Sequence, residues 1–157
     1  MTPTLRPLRP EEMPALTALH AASFAALATA YPPDLVPAYL AMLRAPDYAP
    51  EVLASDPWVA ERDGALLGSA GWAGQADGEA RIRKVFVHPS AAREGLATRL
   101  VHAAEDRARA AGHRRFVLRA YLNAVPFYES LGYRADRPGE RPLPGGLSMP
   151  VIVMRKG

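Results

Sequence analysis

The sequence predicts an α/β (α+β) domain whose sheet is mixed, mostly antiparallel and about six to seven strands wide, with about four flanking helices. Three observations carry this. Val85 to Leu100 reads as a β-rich apolar run that stops at Pro89, then a turn of small and polar residues, then a helix opening near Arg93 with Gly95 and Ala97 in its first turns. Phe116 to Tyr121 is a strand candidate beyond that helix, so Val85 to Tyr121 forms a β-α-β unit, which crosses over right-handed and sets its strands parallel. Asp63-Gly64 between two alternating segments marks a hairpin, and the strand after it completes an antiparallel meander of three.

The 157 residues suit a single domain over 1–157, and 49% of them are hydrophobic, enough for a packed core. The net charge of +3 comes from arginines spread along the chain, with Arg114-Arg115 and Arg155-Lys156 as tight pairs and no patch of interleaved aromatics. No nucleic-acid partner is expected. The absence of cysteine excludes disulfides, thiolate metal sites and acyl-cysteine intermediates, so any group transfer is direct or uses another nucleophile. His20, His88, His102 and His113 show no metal-ligand spacing, and no metal is expected.

In chain order, Leu5 to Leu8 is a short strand candidate, and Arg9-Pro10-Glu11-Glu12 opens a helix with acids near its positive end. Leu16, Leu19, His20, Ser23, Phe24 and Leu27 then recur at three- and four-residue steps until Tyr31-Pro32-Pro33. This Ala-rich stretch resembles a signal peptide only superficially. Glu11 and Glu12 stand where a basic region would meet an apolar one, and Thr17, His20 and Ser23 interrupt the run. No segment reads as long and apolar enough to span a bilayer, so a cytoplasmic protein without a membrane partner is expected. Asp34 caps a second helix with Leu35, Tyr39, Met42 and Leu43 on its apolar side, and Pro46 to Pro57 reads as loop.

Trp58 to Glu61 and Ala65 to Ala73 form the hairpin, and Arg81 to Val87 carries Ile82, Val85 and Val87 toward the central turn. Leu96, Leu100, Ala103, Ala104, Ala108 and Ala111 make the stripe of the helix that follows, closed by Gly112. Asn123 to Tyr133 contains a short helix in which Pro126 fits the first turn, Phe127 and Leu131 share a face, and Gly132 ends it. Leu147 to Met154 is a last strand, where Pro150 implies an edge or a bulge.

The central turn is suited to an anion. A helix N-terminus presents unpaired N–H groups and about half a positive charge, and Gly95 and Ala97 let a diphosphate approach the backbone. No Gly-x-Gly-x-x-Gly and no Gly-Lys-Ser/Thr is present, which argues against a dinucleotide fold and a P-loop.

Two stretches together resemble the GNAT superfamily of acyl-CoA-dependent N-acyltransferases. Val85-Phe86-Val87-His88-Pro89 followed by Ala92-Arg93-Glu94-Gly95-Leu96-Ala97 is similar to its cofactor motif. Ala124, Phe127, Tyr128, Gly132 and Tyr133 match a second motif, which places a tyrosine beside the thioester sulfur. The resemblance implies a sheet splayed between the strands on either side of the cofactor helix. Backbone groups at Val85, Phe86 and Val87 would pair with the pantetheine arm as an added strand does, and Arg93, Glu94, Gly95, Leu96, Ala97 and Thr98 would receive the diphosphate. Arg93 and Arg99 either add charge near the phosphates or sit solvated on the helix. Asn123 either reaches the cofactor or caps the short helix.

It further implies direct transfer of an acetyl group from acetyl-CoA to a primary amine, on a small molecule or a peptide N-terminus, with Tyr128 protonating the thiolate. A phenol of pKa about 10 suits that role. The alternative is a non-catalytic acyl-CoA sensor or interaction module of the same fold. Two departures bear on this choice: the motif's entry residue is Ala92, and Arg81 stands where relatives often carry a glutamate base. Glu79, two residues earlier on the same strand face, is the substitute candidate.

Deprotonating an alkylammonium of pKa about 10.4 at pH 7 costs roughly 4.6 kcal/mol, against roughly 1 to 1.4 kcal/mol for an α-amine, so a site without a strong base suits the latter. His20, Tyr31, Tyr39 and Trp72 either wall the acceptor pocket or belong to core and surface. A homodimer through Arg137 to Gly146 and its following edge strand is a further implication.

Overall fold

The computed structural model describes residues 2–157. Its seven strands are β1 (Thr4–Pro7), β2 (Trp58–Arg62), β3 (Ala65–Gly74), β4 (Ala80–Val87), β5 (Phe116–Ala120), β6 (Arg134–Pro142) and β7 (Ser148–Lys156). They form one sheet in the order β1-β2-β3-β4-β5-β7-β6, antiparallel except where β4 meets β5. The helices are α1 (Met13–Leu27), α2 (Leu35–Leu43), α3 (Tyr48–Leu53), α4 (Leu96–Ala110) and α5 (Val125–Ser130).

The predicted α/β class, the mixed sheet and the β-α-β unit are all present. The parallel pair is short: only Ala80 with Phe116 and Arg81 with Val117 are in register, and beyond them β4 and β5 diverge.

Each face of the sheet is covered by its own apolar cluster. Leu96, Leu100, Val101, Ala104 and Ala108 of α4 pack on Ile82, Phe116, Leu118 and Met154. The approach is close: a Cβ at Gly68 of β3 would lie 2.7 Å from Leu100 Cδ1. Leu16, Leu19 and Phe24 of α1, with Leu35, Tyr39 and Leu43 of α2, pack on the other face against Val59, Phe86, Met149 and Val151.

A bulge in β4 decides which face each residue serves. Ser69 opposes Phe86 and Gly71 opposes Arg83, so two residues of β4, Lys84 and Val85, stand against the single Ala70. Lys84 takes a φ of 57° there. Side chains alternate along a strand, so the extra residue inverts the pattern. Ile82 faces α4, yet Phe86 faces α1, while Val85 and Val87 join the α4 side.

Several sequence expectations are corrected. The segment read as loop over Pro46 to Pro57 contains α3, because Pro50 falls in a first turn where its missing N–H is harmless, and Tyr48 and Val52 are buried. The Pro-rich stretch around Arg137 forms the edge strand β6, so β7 is internal. Pro150 fits there because pairing with β5 ends at Ile152, and its carbonyl accepts from the Tyr31 hydroxyl at 2.9 Å. The helix after the central turn begins at Leu96 rather than near Arg93. The helical stretch Pro10–Ala30 is, by length and composition, apolar enough to cross a membrane, against the expectation that no segment is; its Leu16, Leu19 and Phe24 are buried in the core.

Candidate active site

Where β4 and β5 part, two cavities meet. One, of about 520 Å³, runs between the open edge of β4 and the start of α4, touching Val85, Val87, Arg93, Gly95, Ala97 and Asn123. The other, of about 100 Å³, lies deeper in the wedge among Arg81, Arg83, Lys84, Tyr121 and Arg141. Leu27, Val85, Ala124 and Tyr128 border both.

The larger cleft owes its shape to local sequence. His88 N–H donates to Leu67 O of β3, so by strand alternation the neighbouring Val87 N–H points to the opposite, open side. It meets only the Ser23 hydroxyl, at 3.3 Å. Arg93 and Gly95 have φ of 66° and 73°, left-handed conformations that bend the chain just ahead of the α4 N-terminus, whose first N–H groups lack intrahelical partners. A Cβ at Gly95 would meet nothing within 4 Å, so its conformation, not crowding, calls for glycine, and the space above it is free.

The side chains around this turn divide. Arg93 borders the cleft, whereas Glu94 turns away to pair with Arg62 at 3.0 Å, and Arg99 donates to Pro3 O at 3.0 Å on the far side. Phe86 lies against the His20 ring in the core and offers the cleft no apolar surface. Asn123 donates to Leu27 O at 3.3 Å and caps no helix; the residue before α5 is Ala124, which has no side-chain cap.

Tyr128 sits at the junction. Its ring packs in the α4-side core against Phe127 and Tyr133. Among the described residues none hydrogen-bonds its hydroxyl, and burial pushes the phenol well above its usual pKa, so it stays protonated. Tyr133, the other tyrosine of that motif, is instead occupied: it donates to the buried Glu105 at 2.7 Å.

The smaller cavity is strongly cationic. Among the described residues the carboxylate that pairs with its cations is Glu51 of α3, which holds Arg83, Lys84 at 2.9 Å and Arg141 at 3.4 Å. These cations hold Glu51 down at about 2, against the opposing effect of its burial. Burial and Arg141 draw Lys84 down to about 7, with Glu51 opposing. Tyr121 and Tyr39 share a 2.5 Å hydrogen bond at the cavity wall, and burial pushes Tyr121 up to about 12.

Glu79 is not brought to Tyr128. It is buried lower on the sheet face and accepts from Arg155 at 3.1 Å. Of the four aromatic and histidine wall candidates, only Tyr39 borders the cavity; His20 is fully buried, Tyr31 bonds Pro150, and Trp72 donates to Asp56 at 3.0 Å. Sequence reasoning missed Arg119, Arg141 and Tyr121 as cavity residues, and Glu51 as the partner of the cavity's cations. The alternation Val117, Arg119, Tyr121 along β5 and the residue after it was the available signal for two of them.

A family model described as the acetyltransferase (GNAT) domain matches residues 46–146. The chain belongs to the GNAT acetyltransferase family. Several solved structures share its fold over nearly their whole length. A GCN5-related N-acetyltransferase from Rhodopseudomonas palustris superposes with a TM-score of 0.90 at 24% identity, covering 100% of this chain and 96% of that one. PaiA N-acetyltransferase from Thermoplasma acidophilum, solved with coenzyme A, gives 0.81 at 15% identity and covers 99% of each chain. YjaB from Escherichia coli, solved without ligand, gives 0.74 at 21%, covering 99% of this chain and 97% of that one. At such identities the likeness is one of fold. Comparison with curated protein sequences finds no match.

Proposed function

We propose that this GNAT domain transfers an acetyl group from acetyl-CoA directly to a primary amine, with Tyr128 as the acid that protonates the leaving thiolate. The observation that carries this is the junction: the protonated, unpartnered hydroxyl of a buried tyrosine stands where the larger cleft meets the smaller cavity. In this reading the larger cleft holds the donor. The open edge at Val85 and Val87 takes its amide-bearing arm as an added strand, and the N–H groups from Arg93 through Thr98 take the diphosphate. The amine comes through the smaller cavity. The new C–N bond forms as the C–S bond breaks, the sulfur takes the Tyr128 proton, and the proton lost by the acylated nitrogen is balanced by one that restores the Tyr128 phenol.

The test is a Tyr128→Phe variant assayed for thiol release with acetyl-CoA and an amine panel, beside calorimetric CoA binding. Turnover falls by about 10²- to 10⁴-fold, the usual worth of a general acid, while CoA affinity stays within twofold. A variant as fast as the parent removes Tyr128 from the reaction, and CoA binding without thiol release by the parent chain supports a sensor instead.

A further inference from the structure

The smaller cavity has more positive charge than the protein itself balances. Arg81, Arg83, Lys84, Arg119 and Arg141 border it. Glu51 pairs with three of them, and among the described residues no carboxylate pairs with Arg81 or Arg119. Arg81 is the more telling of the two, because its Nε is buried with no hydrogen-bond partner. A buried donor without an acceptor carries the full desolvation penalty, so such a group is retained where a ligand supplies the acceptor.

The positive surface also has a direction. A second hollow, of about 170 Å³, shares Arg81 and Arg119 with the first and continues down the sheet face toward Arg137 and Arg155. There the charge is partly answered, since Arg155 holds both Glu79 and Asp136. The unanswered part is thus centred on Arg81 and Arg119, one on each of the two diverging strands.

We propose that the acceptor amine also carries an oxyanion, a carboxylate or a phosphate, which Arg81 and Arg119 receive while the amine faces Tyr128. This rests on the acyl-transfer reading above and adds the class of acceptor to it. The planar guanidinium fork matches either oxyanion through paired N–H bonds. The crowding of guanidinium groups shows in Arg81 itself, whose pKa is drawn down to about 10 by burial first and then by Arg83, Arg119 and Arg141.

The same field answers a second need. Among the described residues no carboxylate borders either cavity to act as a base, and a cationic cavity favours the uncharged form of an incoming ammonium. A molecule with one anionic end and one amine is therefore drawn in by the first and held as the free amine at the second, its proton having gone to solvent. A diamine is repelled at both.

The test uses the full chain, acetyl-CoA and matched three-carbon amines: 3-aminopropanoate, 3-aminopropyl phosphate, 3-aminopropanol and 1,3-diaminopropane, with aspartate and glutamate added. Thiol release is expected to give a kcat/KM at least tenfold higher for an anionic amine than for the alcohol, with the diamine lowest. The carboxylate and phosphate arms tell the two oxyanions apart. Arg81→Met and Arg119→Met each lower kcat/KM for the anionic amine at least tenfold and leave KM for acetyl-CoA unchanged; Arg119 is exposed, so its variant folds even where that of Arg81 does not.

Equal rates with the alcohol overturn the proposal, as does a rise in KM for acetyl-CoA in the arginine variants, which would assign those charges to the donor. Glutarate, an anion with no amine, separates the two levels of inference. If calorimetry shows it binding the parent chain and not Arg81→Met while no amine releases thiol, the transfer reading fails and takes the acceptor assignment with it. If neutral amines react and glutarate does not bind, only the oxyanion site fails.

Discussion

His20 donates through Nε2 to Ser69 Oγ at 3.0 Å. The direction follows from the rest of the chain of bonds: the Ser69 hydroxyl gives its only proton to Lys84 O at 2.7 Å, so its oxygen must accept from the ring. Nδ1 then accepts from the Tyr48 hydroxyl at 2.6 Å. A neutral imidazole on α1 thus ties β3 to the bulge of β4, where the two cavities meet.

Acid stability should report this ring. Burial, and then the nearby Lys84, lower His20 from 6.5 to about 3. Between those values the unfolded chain binds a proton that the folded chain refuses, so the contribution of His20 is complete above pH 6.5 and is lost as pH falls toward 3. At pH 4.5 the loss amounts to about 2 to 3 kcal/mol. Urea unfolding from pH 7 to 4.5 should show a steeper decline for the parent than for His20→Gln; parallel declines would mean that the ring is not buried neutral.

Glu51→Gln should destabilise the protein by about 1 to 2 kcal/mol, a modest figure because the carboxylate remains 31% exposed and so partly screened. It should also lower Lys84 further below about 7, since Glu51 is what raises it. In the parent, the unfolded chain holds a proton on Lys84 between pH 7 and 10.5 that the folded chain has released, so this group makes stability rise with pH over that window. In the variant the window opens lower, which an NMR titration of the Lys84 side chain would record.

Gly95→Ala should act on ligand and fold separately. A φ of 73° costs an L-residue about 1 to 2 kcal/mol, visible as a lower unfolding midpoint. The added methyl meets no protein atom within 4 Å, so any loss of CoA affinity comes from the ligand it obstructs. Calorimetry should show at least a tenfold weaker Kd, and an unchanged Kd would place the diphosphate elsewhere.

Glu105→Ala should be the most damaging of these changes, at about 3 to 5 kcal/mol. The carboxylate is buried within the α4-side core, where it accepts from the Tyr133 hydroxyl and from Lys156 at 3.1 Å. Its removal leaves both donors unpaired. Thermal melting measures the loss, and a shift of only a degree or two would mean that water replaces the carboxylate.

The elements legible in the sequence were those whose signal is local. Asp63-Gly64, the Leu96 to Ala108 stripe and the Gly95 turn each depend on residues within one or two turns of each other, and each appears where expected. The strand β6 was hidden because Pro138, Gly139 and Pro142 oppose strand formation locally; its pairing with β7 is a long-range effect that overrides propensity. The bulge left a trace: Ile82, Val85 and Val87 cannot lie on one face of a regular strand, and that broken parity marks Lys84. The cationic cavity left little, since its charged members come from β4, β5 and β6, with their partner Glu51 on α3, and meet only in the folded chain.

The two outer strands and the β4–β5 divergence have a joint consequence for what this sheet can recruit. β1 is four residues long and ends in Pro7, while β6 carries Pro138, Pro142 and three arginines, so neither rim offers a neighbouring chain a clean run of donors. The backbone edge without a neighbouring strand lies in the interior, at Val85 and Val87 on the β5 side, in a slot open only as wide as the strands part. The borders of this sheet are marked by proline and arginine, and its free edge opens inward, into a space shaped for a slender extended chain.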